Sequence, residues 1–144
     1  MGTAPVNGRR GDIDGGVAMN IFLAISAILA WLFGVMLMLA PGSFTAPMGV
    51  TVTPMLATIA QSEGATLIGL GVINWLARGS DRRGLTAVLS GNLVVQILSL
   101  LVAIRIVSLG AGAAAAPSII IHVVLGAFFA YYLSRLGALA PAAR

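Results

Sequence analysis

Four stretches of the chain, residues 17–40, 54–77, 85–108 and 117–136, are predominantly apolar from end to end. A hydrocarbon core about 30 Å thick takes about 20 helical residues, and each stretch meets that length. Their ends carry stop and start signals. Pro41-Gly42 closes the first stretch, because proline cannot continue a helix and glycine suits its end. Pro54 and Pro117 stand where prolines open helices. The connecting pieces, 42–53, 78–84 and 109–116, are too short for a second domain. The pattern predicts an all-α polytopic membrane protein. One antiparallel bundle of four transmembrane helices is expected over residues 17–137, with a polar tail at 1–16 and a short tail at 138–144.

Composition narrows the function classes. Of the 144 residues 59% are hydrophobic and 8% charged, whereas a soluble domain carries about 25% charge. A soluble enzyme and a disordered chain are excluded. The net charge of +4 rests on too few residues for a phosphate-tracking stripe, so no nucleic-acid partner is expected. With no cysteine, disulfides, thiolate metal sites and cysteine nucleophiles are absent. Every basic residue is arginine, and their placement orients the bundle. Arg9 and Arg10 precede the first stretch, Arg78, Arg82 and Arg83 join the second to the third, and Arg135 and Arg144 follow or end the fourth. Four crossings put these regions on one side, and the opposite loops hold no arginine, although Arg105 lies near one of them. Cytoplasmic loops collect the basic residues, so both termini are expected in the cytoplasm. Trp75 near Arg78, and Tyr131-Tyr132 near Arg135, place amphipathic rings at that same interface. Lysine-free, Ala- and Gly-rich usage suits a GC-rich bacterial genome, hence a bacterial cytoplasmic (inner) membrane.

Two readings of the amino end compete. Arg9-Arg10 before an apolar run has the look of a secretory signal, but that run exceeds the roughly 7–15 apolar residues of a signal, which favours a retained span. Met19-Asn-Ile-Phe-Leu offers a second start beside Met1.

Lipid tails are as apolar as leucine, so spans associate through close packing and polar contacts. Small residues at helical spacing mark the expected seams: Ala27, Ala30 and Gly34 in the first span, Ala57, Ala60, Gly64 and Gly71 in the second, and Gly126, Ala130 and Ser134 in the fourth. In the third span Asn92, Gln96 and Ser99 form one polar stripe. It reads as interhelical hydrogen bonding, with a partly hydrated path or a polar partner surface as the sharper alternative.

Ionisable groups inside spans are uncommon and point to function. Glu63, Arg105 and His122 fall inside the apolar stretches and form the candidate intramembrane cluster. Counted at 1.5 Å per residue, Glu63 lies about 22 Å and Arg105 about 30 Å from the arginine-rich side, with His122 about 8 Å below the other. Helical side chains lean toward their own amino end, so Glu63 and Arg105 are expected to reach toward each other. His122 shares a face with Gly126, Ala130 and Ser134 and is expected to point inward. Against the cluster, Arg105 projects about 140° from the Asn92 stripe and is long enough to snorkel to headgroups. Glu63 also suits a frayed helix start. One His and one Glu leave a metal site incomplete, and the sole His lacks a nearby Asp for hydrolytic chemistry.

The run Gly64-Ala-Thr-Leu-Ile-Gly-Leu-Gly-Val-Ile-Asn-Trp-Leu-Ala-Arg78, followed by the basic loop Arg78-Gly-Ser-Asp-Arg-Arg-Gly84 and by Asn92, resembles small bacterial four-helix membrane proteins of uncharacterised role, loosely of the DoxX family. The likeness extends over residues 19–136 in architecture and about 30 residues in wording. It implies a four-helix fold and no enzymatic activity, and it brings no assigned ligand. Glu63 stands outside its pattern.

Three functions stay open. The favoured one is a non-enzymatic accessory or assembly subunit that packs against a larger membrane complex, or a homo-oligomer. The second is a small oligomeric transporter with Glu63 as coupling carboxylate. The third is a bundle that binds lipid, quinone or pigment along Trp31, Phe128, Phe129 and Tyr131; otherwise no cofactor is expected.

Overall fold

A computed structural model describes the chain over residues 7–138 and is all helical, with no strand among the described residues. Four long helices make the bundle: α1 (Asn7–Leu39), α3 (Pro54–Leu76), α4 (Arg82–Ile106) and α5 (Ala116–Ala138), with a single-turn α2 (Gly42–Thr45) after the first. Each of the four is long and apolar enough to cross a membrane, so the chain is a multi-pass membrane protein by length and composition. The apolar part of α1 is Gly15–Leu39.

Local chemistry sets the ends. Thr53 accepts the Leu56 amide hydrogen at 3.2 Å and Pro54 opens α3. Asp81 accepts the Gly84 amide hydrogen at 2.9 Å, so α4 begins at Arg82, earlier than the apolar pattern suggested. An oxygen-bearing cap satisfies amides that the first helical turn leaves without partners. Between α1 and α3 the loop winds through α2 and a 3-10 turn, Ala46–Met48, that ends at Gly49 with φ 71°. Between α4 and α5 the chain turns over at Gly110, φ 102°. Both positions need the left-handed backbone that glycine adopts without steric cost.

One expectation is corrected at the amino end. Much of the stretch read as a polar tail is helical, because α1 starts at Asn7. Residues 1–6 and 139–144, with Arg144, lie outside the described residues.

The helices pack as two close pairs, α1 with α3 and α4 with α5. In the first, backbones nearly touch. A Cβ on Gly34 would lie 2.8 Å from the Gly64 carbonyl oxygen, and one on Gly64 would lie 2.7 Å from that of Gly34. Two helical turns below, Gly71 lies against the Trp31 indole, whose Nε1–H donates to the Ile68 carbonyl at 3.2 Å. Gln61 Nε2 donates to the Met38 carbonyl at 3.2 Å and occupies one acceptor at the end of α1. The two pairs join through Met19, Phe22 and Leu23 of α1, Ala77, Leu85 and Leu89 near the α3–α4 turn, and Phe129 of α5. Phe22 is its aromatic centre, with ring centroids 4.8 Å from Phe129 and 5.2 Å from Tyr132.

The small-residue seams are only partly as expected. Ala27, Gly34, Gly64 and Gly71 are buried, Ala30 is half-buried, and Gly126 is half-buried against Gln96. Ala130 and Ser134 are exposed, and the buried line of α5 runs instead through Phe129, flanked by Leu125, Leu133 and Leu136. Each residue of the stripe follows one of that line by a single position, about 100° around the helix, which turns Ala130 and Ser134 off the packed face.

Candidate functional site

In lipid a buried amide must find a partner within the protein, and α3, α4 and α5 supply each other. Asn74 and Asn92 exchange hydrogen bonds: Nδ2 of Asn74 donates to Oδ1 of Asn92 at 3.1 Å, and Nδ2 of Asn92 donates back at 2.7 Å. Asn92 also donates to the Val88 carbonyl of its own helix at 2.9 Å. Both side chains are almost fully buried, Asn74 at 1% exposure and Asn92 at 2%. This link ties the two helix pairs together, since α3 belongs to one and α4 to the other. One turn above Asn92, Gln96 reaches α5, where its Oε1 lies 2.7 Å from Nδ1 of His122. An amide oxygen only accepts, so Nδ1 is the donor of this bond. Gly126, one turn after His122, lets α5 approach the Gln96 stem, 3.4 Å from where a Cβ would stand.

Ser26 of α1 adds a fourth helix to this polar level. The register set by Gly34–Gly64 and by Gly71 on the Ala27 carbonyl places Ser26 within about a turn of Asn74 in depth. It is buried, and its Oγ is the buried side-chain polar atom left without a hydrogen-bond partner among the described residues.

The expected cluster of Glu63, Arg105 and His122 does not assemble. His122 is half-buried and bonded to Gln96, whereas Glu63 and Arg105 are both exposed. Among the described residues neither charged side chain is paired with the other. The reason is angular. Asn92 faces α3, because it holds Asn74. Arg105 follows Asn92 by 13 residues, and at about 100° per residue it points roughly 140° away from that face. Depth does not separate the two charges. Measured from the Asn74–Asn92 bond at 1.5 Å per residue, Glu63 stands about 16 Å and Arg105 about 20 Å along the bundle. Glu63 is also no frayed start, since α3 runs nine residues further toward its opening at Pro54.

Of the polar stripe, Asn92 and Gln96 are buried and bonded, while Ser99 is half-buried and makes no side-chain hydrogen bond among the described residues. Asn74 and Ser26 lie outside the residues that the sequence pattern marks. Asn74 had a signal: an amide alone in an apolar span requires a partner. Ser26 had none, since serine satisfies itself on its own helix in most settings.

The arginine-rich connections meet at one end of the bundle. Arg82 donates to the Leu136 carbonyl at 2.6 Å, which brings the α3–α4 turn beside the last turn of α5. The Arg78 guanidinium lies 3.3 Å over the Trp75 ring, and Arg135 lies 5.3 Å from the Tyr131 ring and donates to its hydroxyl. Between α1 and α5 an open groove of about 300 Å³ is lined by Ile21, Phe22, Ile25, Leu125, Phe128 and Tyr132, among others. Of the aromatics expected to line such a groove only Phe128 does so. Phe129 is core, Trp31 serves the α1–α3 contact, and Tyr131 stacks with Arg135.

Compared with family models, curated proteins and solved structures, the chain matches none.

Proposed function

We propose that this protein is a non-enzymatic accessory or assembly subunit, packed against other membrane protein in a bacterial cytoplasmic membrane, with both termini in the cytoplasm. The observation that carries the reading is a division of its polar groups. Asn74, Asn92, Gln96 and His122 are bonded to one another inside the bundle, while Glu63 and Arg105 are exposed on apolar helices. A charge facing lipid is costly, and the ordinary remedy is a partner. The sole histidine is bonded to an amide rather than to an acid, which also speaks against hydrolysis. The suggested kinship with DoxX-type bundles belongs to the same proposal and rests on the wording of residues 64–78. Purification from native membranes in mild detergent tests the reading. A second membrane protein in constant ratio is the expected result, and recovery of this chain alone at every attempt overturns it.

The groove between α1 and α5 favours a second reading, a site for the apolar tail of a lipid, quinone or pigment. Its walls are aliphatic and aromatic, with the Tyr132 side chain among them. Solvent extraction of the purified protein, read by absorption and mass spectrometry, should return one such molecule at near-stoichiometric yield. An Ile25→Trp variant should lose it. Extracts identical to empty detergent overturn the idea.

A further inference from the structure

We propose that a second copy of this chain packs against the exposed surface of α3 and α4 that carries Glu63 and Arg105, with Glu63 of each copy paired to Arg105 of the other. The proposal rests on reading that surface as an interface and names its occupant.

Four observations converge on it. Glu63 and Arg105 are exposed, with exposed Ile59 one turn from Glu63 and exposed Leu101, Val102 and Ile104 beside Arg105. Their signs are opposite. Their levels agree to within about one helical turn, at about 16 and 20 Å above the Asn74–Asn92 bond. The angle of Arg105, set by Asn92 facing α3, keeps the pair from closing within one chain.

A two-fold axis along the membrane normal leaves every depth unchanged. It therefore carries Arg105 of one copy to the level of Glu63 of the other and makes the same contact twice, as a closed dimer requires. Headgroup binding by Arg105 would satisfy the cation but leave the Glu63 carboxylate facing lipid, whereas a second copy answers both.

Charge exchange in the full-length purified chain tests this. In mild detergent the wild type should run as a dimer. Glu63→Arg alone and Arg105→Glu alone should each weaken the dimer by at least about tenfold, since each sets like charges opposite one another. The doubly exchanged protein should regain it. Helix content, followed by circular dichroism, should stay constant across the set, because neither residue is buried.

A second measurement works in intact membranes. Differently tagged copies carrying Glu63→Cys and Arg105→Cys should form a mixed disulfide on oxidation, in a chain with no other cysteine. Absence of that disulfide, single variants that remain dimeric, or a folded double variant that stays apart overturns the proposal. The outcomes also separate from the accessory reading. A foreign protein co-purifying in constant ratio, without the mixed disulfide, sinks self-pairing alone. A charge-dependent dimer with no other companion sinks the accessory role alone.

Discussion

Asn92 carries more of the interior than any other polar side chain described, because its one amide serves both Asn74 and the Val88 carbonyl. Truncating either partner of the Asn74–Asn92 pair strands the other amide in a dry interior. Contacts of this kind in membrane proteins average about 0.6 kcal/mol, with a maximum of about 1.7. Two bonds exchanged reciprocally should therefore give a coupling of about 1 kcal/mol in a double-mutant cycle of Asn74→Ala and Asn92→Ala. Unfolding in mixed micelles on titration with SDS measures it, and additive effects would show that the two amides do not support each other. Half of this pair was legible in the sequence, since Asn92 stood on a stripe with Gln96, whereas Asn74 stood alone and a stripe has no meaning for one residue. The Glu63–Arg105 pairing failed for a different reason. Helix rise gives depth from sequence spacing, but which face of α4 meets α3 is decided only by the contact that Asn92 makes.

The glycines decide how near α1 and α3 approach, and there the obstacle is backbone. At both Gly34 and Gly64 a new Cβ would meet the other residue's carbonyl oxygen, at 2.8 and 2.7 Å, and a carbonyl cannot swing aside as a side chain can. Gly64→Ala should thus force the helices apart and cost about 1–3 kcal/mol, the range for overpacking a close contact. Gly69→Ala on the same helix is the control. Its Cβ would enter open space, so the loss of glycine's helix penalty should leave stability unchanged or raise it by up to about 1 kcal/mol. Thermal unfolding of both variants in one detergent compares them directly, and equal losses would place the cause in helix propensity rather than packing. The spans themselves were readable from unbroken apolar length, and the α1–α3 seam from its glycines. Helix starts were less so, because hydropathy cannot register that Asp81 caps Gly84 and begins α4 within a charged segment. The Gly126-Ala130-Ser134 stripe departs from the packed face because the buried line stands one residue earlier, about 100° around the helix, and is held by Phe129, a bulky residue outside any small-residue pattern.

At the scale of the whole molecule, the bundle has one basic end, built by Arg78, Arg82, Arg83 and Arg135 with Asp81 as the acid among them, and an opposite end at α2 and the Gly110 turn where no arginine stands except Arg105 below it. The contact of Arg82 with the last turn of α5 makes this a structural feature rather than a sum over loops. Trp75 and Tyr131 lie under arginines at that same end, as amphipathic rings do at headgroup level. An excess of arginine in short loops resists transfer across the membrane, so the basic end should face the cytoplasm. Two single-cysteine variants decide the matter, in a chain whose own cysteine count is zero. Ser43→Cys, exposed on α2, should react with a membrane-impermeant maleimide added to intact cells. Arg83→Cys, exposed at the start of α4, should react only after the cells are opened; Arg78, Arg82 and Arg135 among others remain at that end to hold the orientation. The reverse labelling would invert the bundle, and equal labelling at both sites would mean that the molecule inserts in both directions.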